Sequence, residues 1–318
     1  MRYLPNGKQM SEADAHTIHK IGIPSLVLME RAALQIVETM HKKNISTEKS
    51  LIVCGSGNNG GDGFAVARLL TEQGKHADVL FAGKEASLSE ECRCQKQIVE
   101  NMGISVFTEF PDEEYTVIID AVFGVGLCRE ITGHYKDVID WMNLQDTEKV
   151  AVDIPSGICA ATGEILGTAF RADLTVCMAC VKLGCELFPG KSYAGESIPV
   201  AIGIDPNYFS NRLDVCYTFD KNELGKLLPA RMMNSHKGSY GKVLMITGSP
   251  GMAGAAFLSA CAAYTVGAGL VQIYTASENR LALQELLPEA IISCYDSYDD
   301  NQLSRLLDWA DVVCIGCG

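Results

Sequence analysis

The stretch LIVCGSGNNGGDGFAVARLL, residues 51–70, sets two asparagines and an aspartate among five glycines, between an apolar run and a helical pattern. Leu51 to Cys54 read as a buried strand, and Phe64, Ala67 and Leu70 recur at helical spacing, which predicts a strand-to-helix turn with the helix over 63–73. Such turns bind anions, because glycine lets the backbone approach closely and the helix start offers free amides at its positive dipole end. Gly55, Gly57 and Gly60 satisfy the Gly-x-Gly-x-x-Gly dinucleotide pattern. The next strand, ADVLFAG at 77–83, nevertheless ends without the acid that would grip a ribose, and Asp62 puts a carboxylate inside the loop. That departs from ordinary hydride-transfer cofactor binding. No Gly-Lys-Ser/Thr follows the glycines, which excludes a P-loop.

Outward from this turn the chain alternates. Two helical stretches precede it, the second with Leu26, Met29, Ala33, Ile36, Val37 and Met40 on one face. After it come a strand at 77–82, a helix near 89–102, ISVF, TVIIDAVFG (116–124), a helix near 134–144, KVAVDIPSG (149–157), ADLTVCMA and SIPVAIGI. Apolar strands without polar alternation, separated by helices, imply a parallel sheet covered on both faces. The expectation is a doubly wound, Rossmann-like three-layer α/β fold, with its ligand beyond the carboxyl ends of the strands.

Composition narrows the function. At 318 residues two domains are expected, placed at 1–215 and 220–318. A net charge of −13 and a pI near 4.9 leave no basic face for nucleic acid or an anionic membrane. No window offers the roughly 20 apolar residues of a membrane span, and the N-terminus is too polar for a signal peptide, so a cytoplasmic location is expected. Thirteen cysteines lie mostly in apolar segments such as LTVCMACV and read as small hydrophobes. Cys177 and Cys180 have zinc-ligand spacing, but a buried strand would point such neighbours to opposite faces.

Three strand ends carry oxygen ligands beside glycine: Asn58, Asn59 and Asp62 at the first, Asp120 before AVFGVGLCRE, and Asp153 before Ile154-Pro155-Ser156-Gly157. A carboxylate ending an apolar run such as Val117-Ile118-Ile119 is costly unless solvated, hydrogen-bonded or balanced by a cation. An amide oxygen, a carboxylate and a hydroxyl can together hold a hard ion such as potassium or sodium. The plainer alternative is that both aspartates cap the turns that follow them.

GNNGGDG, DAVFGVGL and VDIPSG in that order, preceded by GIPSLVLMERAA, resemble the NAD(P)H-hydrate epimerase domain, also called the YjeF N-terminal domain, over residues 8–210. The resemblance implies a substrate, NAD(P)HX, that is NADH or NADPH hydrated at C6, whose R and S forms are interconverted. Carried over by position, Asn58, Asn59, Gly60, Gly61 and Asp62 and the segment Gly124, Val125, Gly126, Leu127, Cys128, Arg129 and Glu130 hold the substrate. Asp153 contacts it, and Asn59, Asp120 and Ser156 ligate potassium. The chemistry suits these groups: the ring nitrogen can expel the hydroxyl to leave an iminium that water re-enters from either face, so modest acid and base help suffices. Asp153 is the expected group for that proton transfer, and the family suggests a homodimer.

A second βαβ unit follows residue 220. SHKGSYGKVL, GSPGMAGAA and GAGLV resemble the start of the NAD(P)H-hydrate dehydratase domain, a ribokinase-like fold that removes water from the S form using ADP or ATP. That resemblance implies a turn at Gly254 and Ala255 that approaches substrate. The catalytic and nucleotide-binding segments of that family do not appear before Gly318, so epimerase activity is expected of this chain, dehydratase activity only of a longer parent, and an exposed edge of an incomplete second sheet. Two other classes stay open: a nonenzymatic scaffold of the epimerase fold, as in proteins of RNA decapping, and a ribokinase-like small-molecule kinase.

Overall fold

The computed structural model describes residues 1–205, 207–210, 212–228, 230–297 and 299–318. The chain forms two compact units, Met1–Phe219 and Asp220–Gly318. Among the described residues no helix is long and apolar enough to cross a membrane.

The first unit runs β1 (Arg2–Leu4), α1 (Gly7–His16), α2 (Ser25–Lys42), β2 (Lys49–Cys54), α3 (Asn58–Glu72), β3 (His76–Phe81), α4 (Glu90–Asn101), β4 (Val106–Phe107), β5 (Val117–Ala121), α5 (His134–Leu144), β6 (Glu148–Val152), β7 (Leu174–Met178), α6 (Leu183–Glu186), β8 (Glu196–Val200) and β9 (Cys216–Thr218). Seven strands form one parallel sheet in the order β4-β3-β2-β5-β6-β7-β8. Order therefore reverses between β2 and β5, and in a doubly wound sheet a crevice opens at that point. Ile52, Ile119, Val150 and Val176 pack on one face against Ile36, Met40, Phe64 and Leu70 of α2 and α3. Leu51, Val53, Ile118 and Ala151 face the other way, onto Val138, Ile139 and Met142 of α5. Alternate residues of each strand thus feed opposite layers, which is why the strands read as unbroken apolar runs.

Several local expectations shift. The helix after the glycine turn begins at Asn58 rather than at 63, so Asn58 to Asp62 lie in its first turns. Close packing lets it start early: a Cβ on Gly60 would lie 2.1 Å from the Gly55 carbonyl oxygen, and one on Gly61 2.5 Å from Met29 Cε. These glycines bring the helix onto its strand and onto α2, where any side chain would intrude. ISVF shrinks to the two-residue edge strand β4, and Leu26 is exposed on α2, whose buried stripe runs through Leu28, Met29, Ala32, Ala33 and Ile36. Strands β1 and β9 pair antiparallel, a union of chain segments too short to carry a periodic signal. Cys177 sits in the core that includes Ile154, Val181 and Cys185, whereas Cys180 packs against the opposite core, so the two thiols do point to opposite faces.

The second unit runs α7 (Lys221–Leu227), β10 (Lys242–Ile246), α8 (Ala253–Val266), β11 (Leu270–Ala276), α9 (Arg280–Leu286), β12 (Ile291–Tyr295), α10 (Asp300–Trp309) and β13 (Val312–Ile315). Its parallel sheet has the order β12-β11-β10-β13, and Val312, Val313 and Ile315 of the edge strand β13 are exposed. Gly254 and Ala255, expected in a turn, are in the first turn of α8.

Candidate active site

A cavity of about 810 Å³ opens in the first unit at the carboxyl ends of the strands, within the usual size of small-molecule sites. Ser56 to Asn59 and Asp62 form one wall and Val122 to Arg129 another. Asp153, Met178 and Lys182 close a third side, and α1 and α2 contribute Asp14 and Met29. Four elements meet there because the loops after β2, β5, β6 and β7 all leave the sheet on one side.

The first wall is a helix start. Gly57 is the N-cap of α3 and supplies no capping side chain, so the leading amides have no helical partner and face an anion site by geometry and dipole. Asn59 reaches toward Gly124, its Oδ1 3.3 Å from where a Cβ on that glycine would stand, and its buried Nδ2 has no hydrogen-bond partner. Ser56 Oγ accepts from the Lys84 amide at 2.7 Å and ties the loop after β3 to the same wall.

The strand-end aspartates take different positions. Asp120 is fully buried behind the cavity wall. Its Oδ2 accepts from the Ser156 amide at 2.7 Å, and its Oδ1 from the Ser156 hydroxyl at 2.7 Å and the Val122 amide at 3.1 Å. The Ser156 hydroxyl in turn accepts from the Phe123 amide at 2.8 Å, so one buried cluster locks the β5 and β6 loops together. Burial pushes the Asp120 carboxyl up to about 6, against the opposing hydrogen bonds from Ser156. No lysine or arginine pairs with it among the described residues. Asp120 and Ser156 are one buried oxygen cluster, and Asn59 carries an unpartnered amide nitrogen on the cavity wall; a carboxylate, a hydroxyl and an amide oxygen are the donor types that suit an alkali ion.

Asp153 opens onto the cavity instead. It leaves β6 with φ +71, a left-handed conformation that an aspartate tolerates better than most residues. Ala179 leaves the neighbouring strand β7 with φ +59. These two exits bring the loops together: Asp153 Oδ1 accepts from the Met178 amide at 2.9 Å and from Lys182 Nζ, which also donates to the Met178 carbonyl at 2.8 Å. Lys182 is fully buried, and desolvation of its ammonium is offset by the adjacent Asp153 carboxylate, with a net upward shift. Asp62 and Asp14 face the same cavity; burial, with the negative Asp153 adding to it, drives Asp62 well above the usual carboxylate range and Asp14 up to about 6.

Of the positions singled out in the sequence, Asn58, Asn59, Asp62, Gly124 to Arg129 and Asp153 line the cavity. Gly60, Gly61, Glu130, Asp120 and Ser156 are not among the lining residues: the two glycines pack against Gly55 and Met29, and Asp120 and Ser156 are fully buried. Ala255 belongs to the second unit. Lys182 and Asp14 lie outside the strand-end motifs and join the cavity only in the folded chain. A lone lysine four residues beyond a buried strand, inside CMACVKLG, was a legible signal; Asp14, on a polar helix, offered none.

Comparisons with known proteins bear on the family and the fold. Residues 25–184 match the family model described as YjeF-related protein N-terminus, and residues 243–318 the one described as NAD(P)H-hydrate dehydratase. The NAD(P)H-hydrate epimerase of Oenococcus oeni is 42% identical over 201 residues, 63% of this chain and 96% of that protein. The bifunctional NAD(P)H-hydrate repair enzyme of Moorella thermoacetica is 34% identical over 99% of this chain, which spans 64% of that relative's length. A crystal structure of the yeast protein ynu0 shares the fold, with a TM-score of 0.54 at 17% identity over 68% of this chain and 99% of that one. Since the first of these family models spans half of the chain and a cavity sits where its motifs converge, the chain belongs to the family of the YjeF-related protein N-terminus.

Proposed function

We propose that the first unit is a metabolite-repair epimerase, interconverting the R and S forms of hydrated NADH and NADPH. The second unit is read as part of a dehydratase that returns the S form to NAD(P)H with ADP or ATP. The observation that carries the reading is the Asp153–Lys182 pair facing an uncapped helix start across one cavity. The helix amides suit the pyrophosphate, and Asp153 suits the hydrated ring. Departure of the C6 hydroxyl needs a proton, and return of water needs a base. Asp153, oriented by Lys182 and the Met178 amide, is the group we assign to that transfer.

Asn59, Asp120 and Ser156 would hold a potassium ion, which would neutralise Asp120 and brace the wall beside the phosphates. The reading includes a cytoplasmic homodimer and no nucleic-acid partner, in keeping with the net charge of −13. The test is incubation of the chain with the pure R form of hydrated NADH, with and without potassium, following the S form by chromatography. Acceleration over a protein-free control supports the reading. A folded chain that binds the dinucleotide without accelerating the exchange sinks it in favour of a scaffold.

A further inference from the structure

We infer that Asp14 is a second catalytic carboxyl: it gives the proton on which the C6 hydroxyl leaves, while Asp153 takes the proton of the water that returns. The inference rests on the epimerase reading and adds to it a residue from α1, outside every motif quoted above. Three carboxyls line the cavity, Asp14 from α1, Asp62 from α3 and Asp153 from the loop after β6, and the one buried ammonium among the lining residues, Lys182, pairs with Asp153. Asp153 is committed by geometry, since Lys182 and the Met178 amide both bind its Oδ1. Asp14 is half-buried and has no hydrogen-bond or ion-pair partner among the described residues, so its carboxyl is free to meet a substrate.

The surroundings of Asp14 set its charge. From α2, Leu28, Met29 and Ala32 line the cavity without charge; the charged groups acting on Asp14 are Asp153 and Lys182, and Asp62 stands within the same field. Burial is the largest influence, the Asp153 charge adds to it and Lys182 opposes it, leaving Asp14 near 6, where a carboxyl can both hold and release a proton close to neutrality. Asp62 is shifted in the same direction, by burial first and then by the charges of Asp153 and Asp14, with Lys182 opposing.

The step balances. The Asp14 O–H bond and the C6–O bond break together, water leaves, and the ring-nitrogen lone pair becomes the second bond of the iminium. A water oxygen then bonds C6 from the other face, the electron pair returns to nitrogen, and the water's proton passes to Asp153. Transfer of that proton back to Asp14 restores the site without oxidant or reductant.

The experiment measures kcat and KM for R-to-S conversion of hydrated NADPH above the protein-free rate, from about pH 5 to about pH 8, in the full chain and in Asp14→Asn, Asp14→Glu and Asp62→Asn. The expected result is a fall in kcat of about 10²-fold or more for Asp14→Asn, with KM little changed. The wild-type decline as pH rises through about 6 should vanish in that variant, and Asp14→Glu should recover part of the rate. Full kcat with an intact alkaline limb in Asp14→Asn overturns the inference, as does transfer of both effects to Asp62→Asn. If Asp14→Asn fails to fold by thermal melting, the wild-type and Asp14→Glu profiles decide, and a wild-type rate with no limb near pH 6 is the overturning result. Absence of wild-type activity would instead overturn the epimerase reading, and this inference with it.

Discussion

The ends of β5 and β6 look alike in the sequence, an apolar triplet followed by an aspartate, yet the fold uses them in opposite ways. Asp120 stays in its strand, fully buried, and is held by Ser156 and the Val122 amide. Asp153 turns out of its strand with positive φ, meets the Lys182 ammonium and lines the cavity. A buried carboxylate satisfied by neutral donors becomes easier to protonate, while one facing a cation has its charge balanced. The pair teaches that a strand-end acid acquires its role from what the neighbouring loop brings to it.

The comparison breaks first on activity. Asp153→Asn should cost about 10²–10⁴-fold in epimerisation rate while dinucleotide binding persists, read by chromatographic conversion of the R form and by calorimetric titration. Full rate in a folded variant would remove Asp153 from the chemistry.

Lys182→Met comes next. Removing the cation leaves Asp153 unpaired in a largely buried place, and the expected loss is about 3–5 kcal/mol in urea denaturation at neutral pH. A loss below about 1 kcal/mol would mean that the pair is solvated and that Asp153 needs no partner.

Asp120 sharpens the contrast through pH. Its folded value, near 6, lies above the ordinary 3.8, so the folded state binds the proton more tightly. The stability this contributes is fully present below about pH 4 and is lost as pH rises through about 6, a change of about 3 kcal/mol. Asp14 and Asp62 shift in the same direction, so the measurement is the difference between the wild-type and Asp120→Asn denaturation profiles. The variant should be flatter over that window, and potassium should offset the wild-type loss above pH 6 if the ion binds beside Asp120.

The smallest effect belongs to Ser156→Ala, which deprives Asp120 Oδ1 of a donor and the Phe123 amide of its acceptor. About 1–3 kcal/mol is expected, measured by thermal melting. A neutral outcome would show that water replaces the hydroxyl there.

Much of the fold was open to reading because its signals are local. Val117-Ile118-Ile119 and Val150-Ala151-Val152 are apolar on both sides, which only a sheet covered on both faces requires, and Gly55 to Gly63 announce a strand meeting a helix. The candidate site was legible as far as strand ends mark it: Asn58, Asn59, Asp62 and Asp153 could be singled out by position alone. Gly60 and Gly61 read in a sequence as ligand-binding glycines, and the structure adds that each also packs closely, Gly60 on Gly55 and Gly61 on Met29. The start of α3 was placed too late because glycines weaken helical periodicity, while the tertiary fit of helix on strand outweighs their low propensity.

By itself the sequence determined the parallel α/β architecture, the anion-suited turn and the candidate carboxylates, since each depends on residues near one another in the chain. Only the tertiary structure decided that Lys182 would neutralise Asp153 across 29 positions, that Asp14 would arrive from α1, and that Asp120 would be sealed behind the wall. The physical reason is that desolvation depends on what packs around a group and Coulomb interaction on distance in space, and the loops after β5, β6 and β7 become neighbours only once the sheet has assembled.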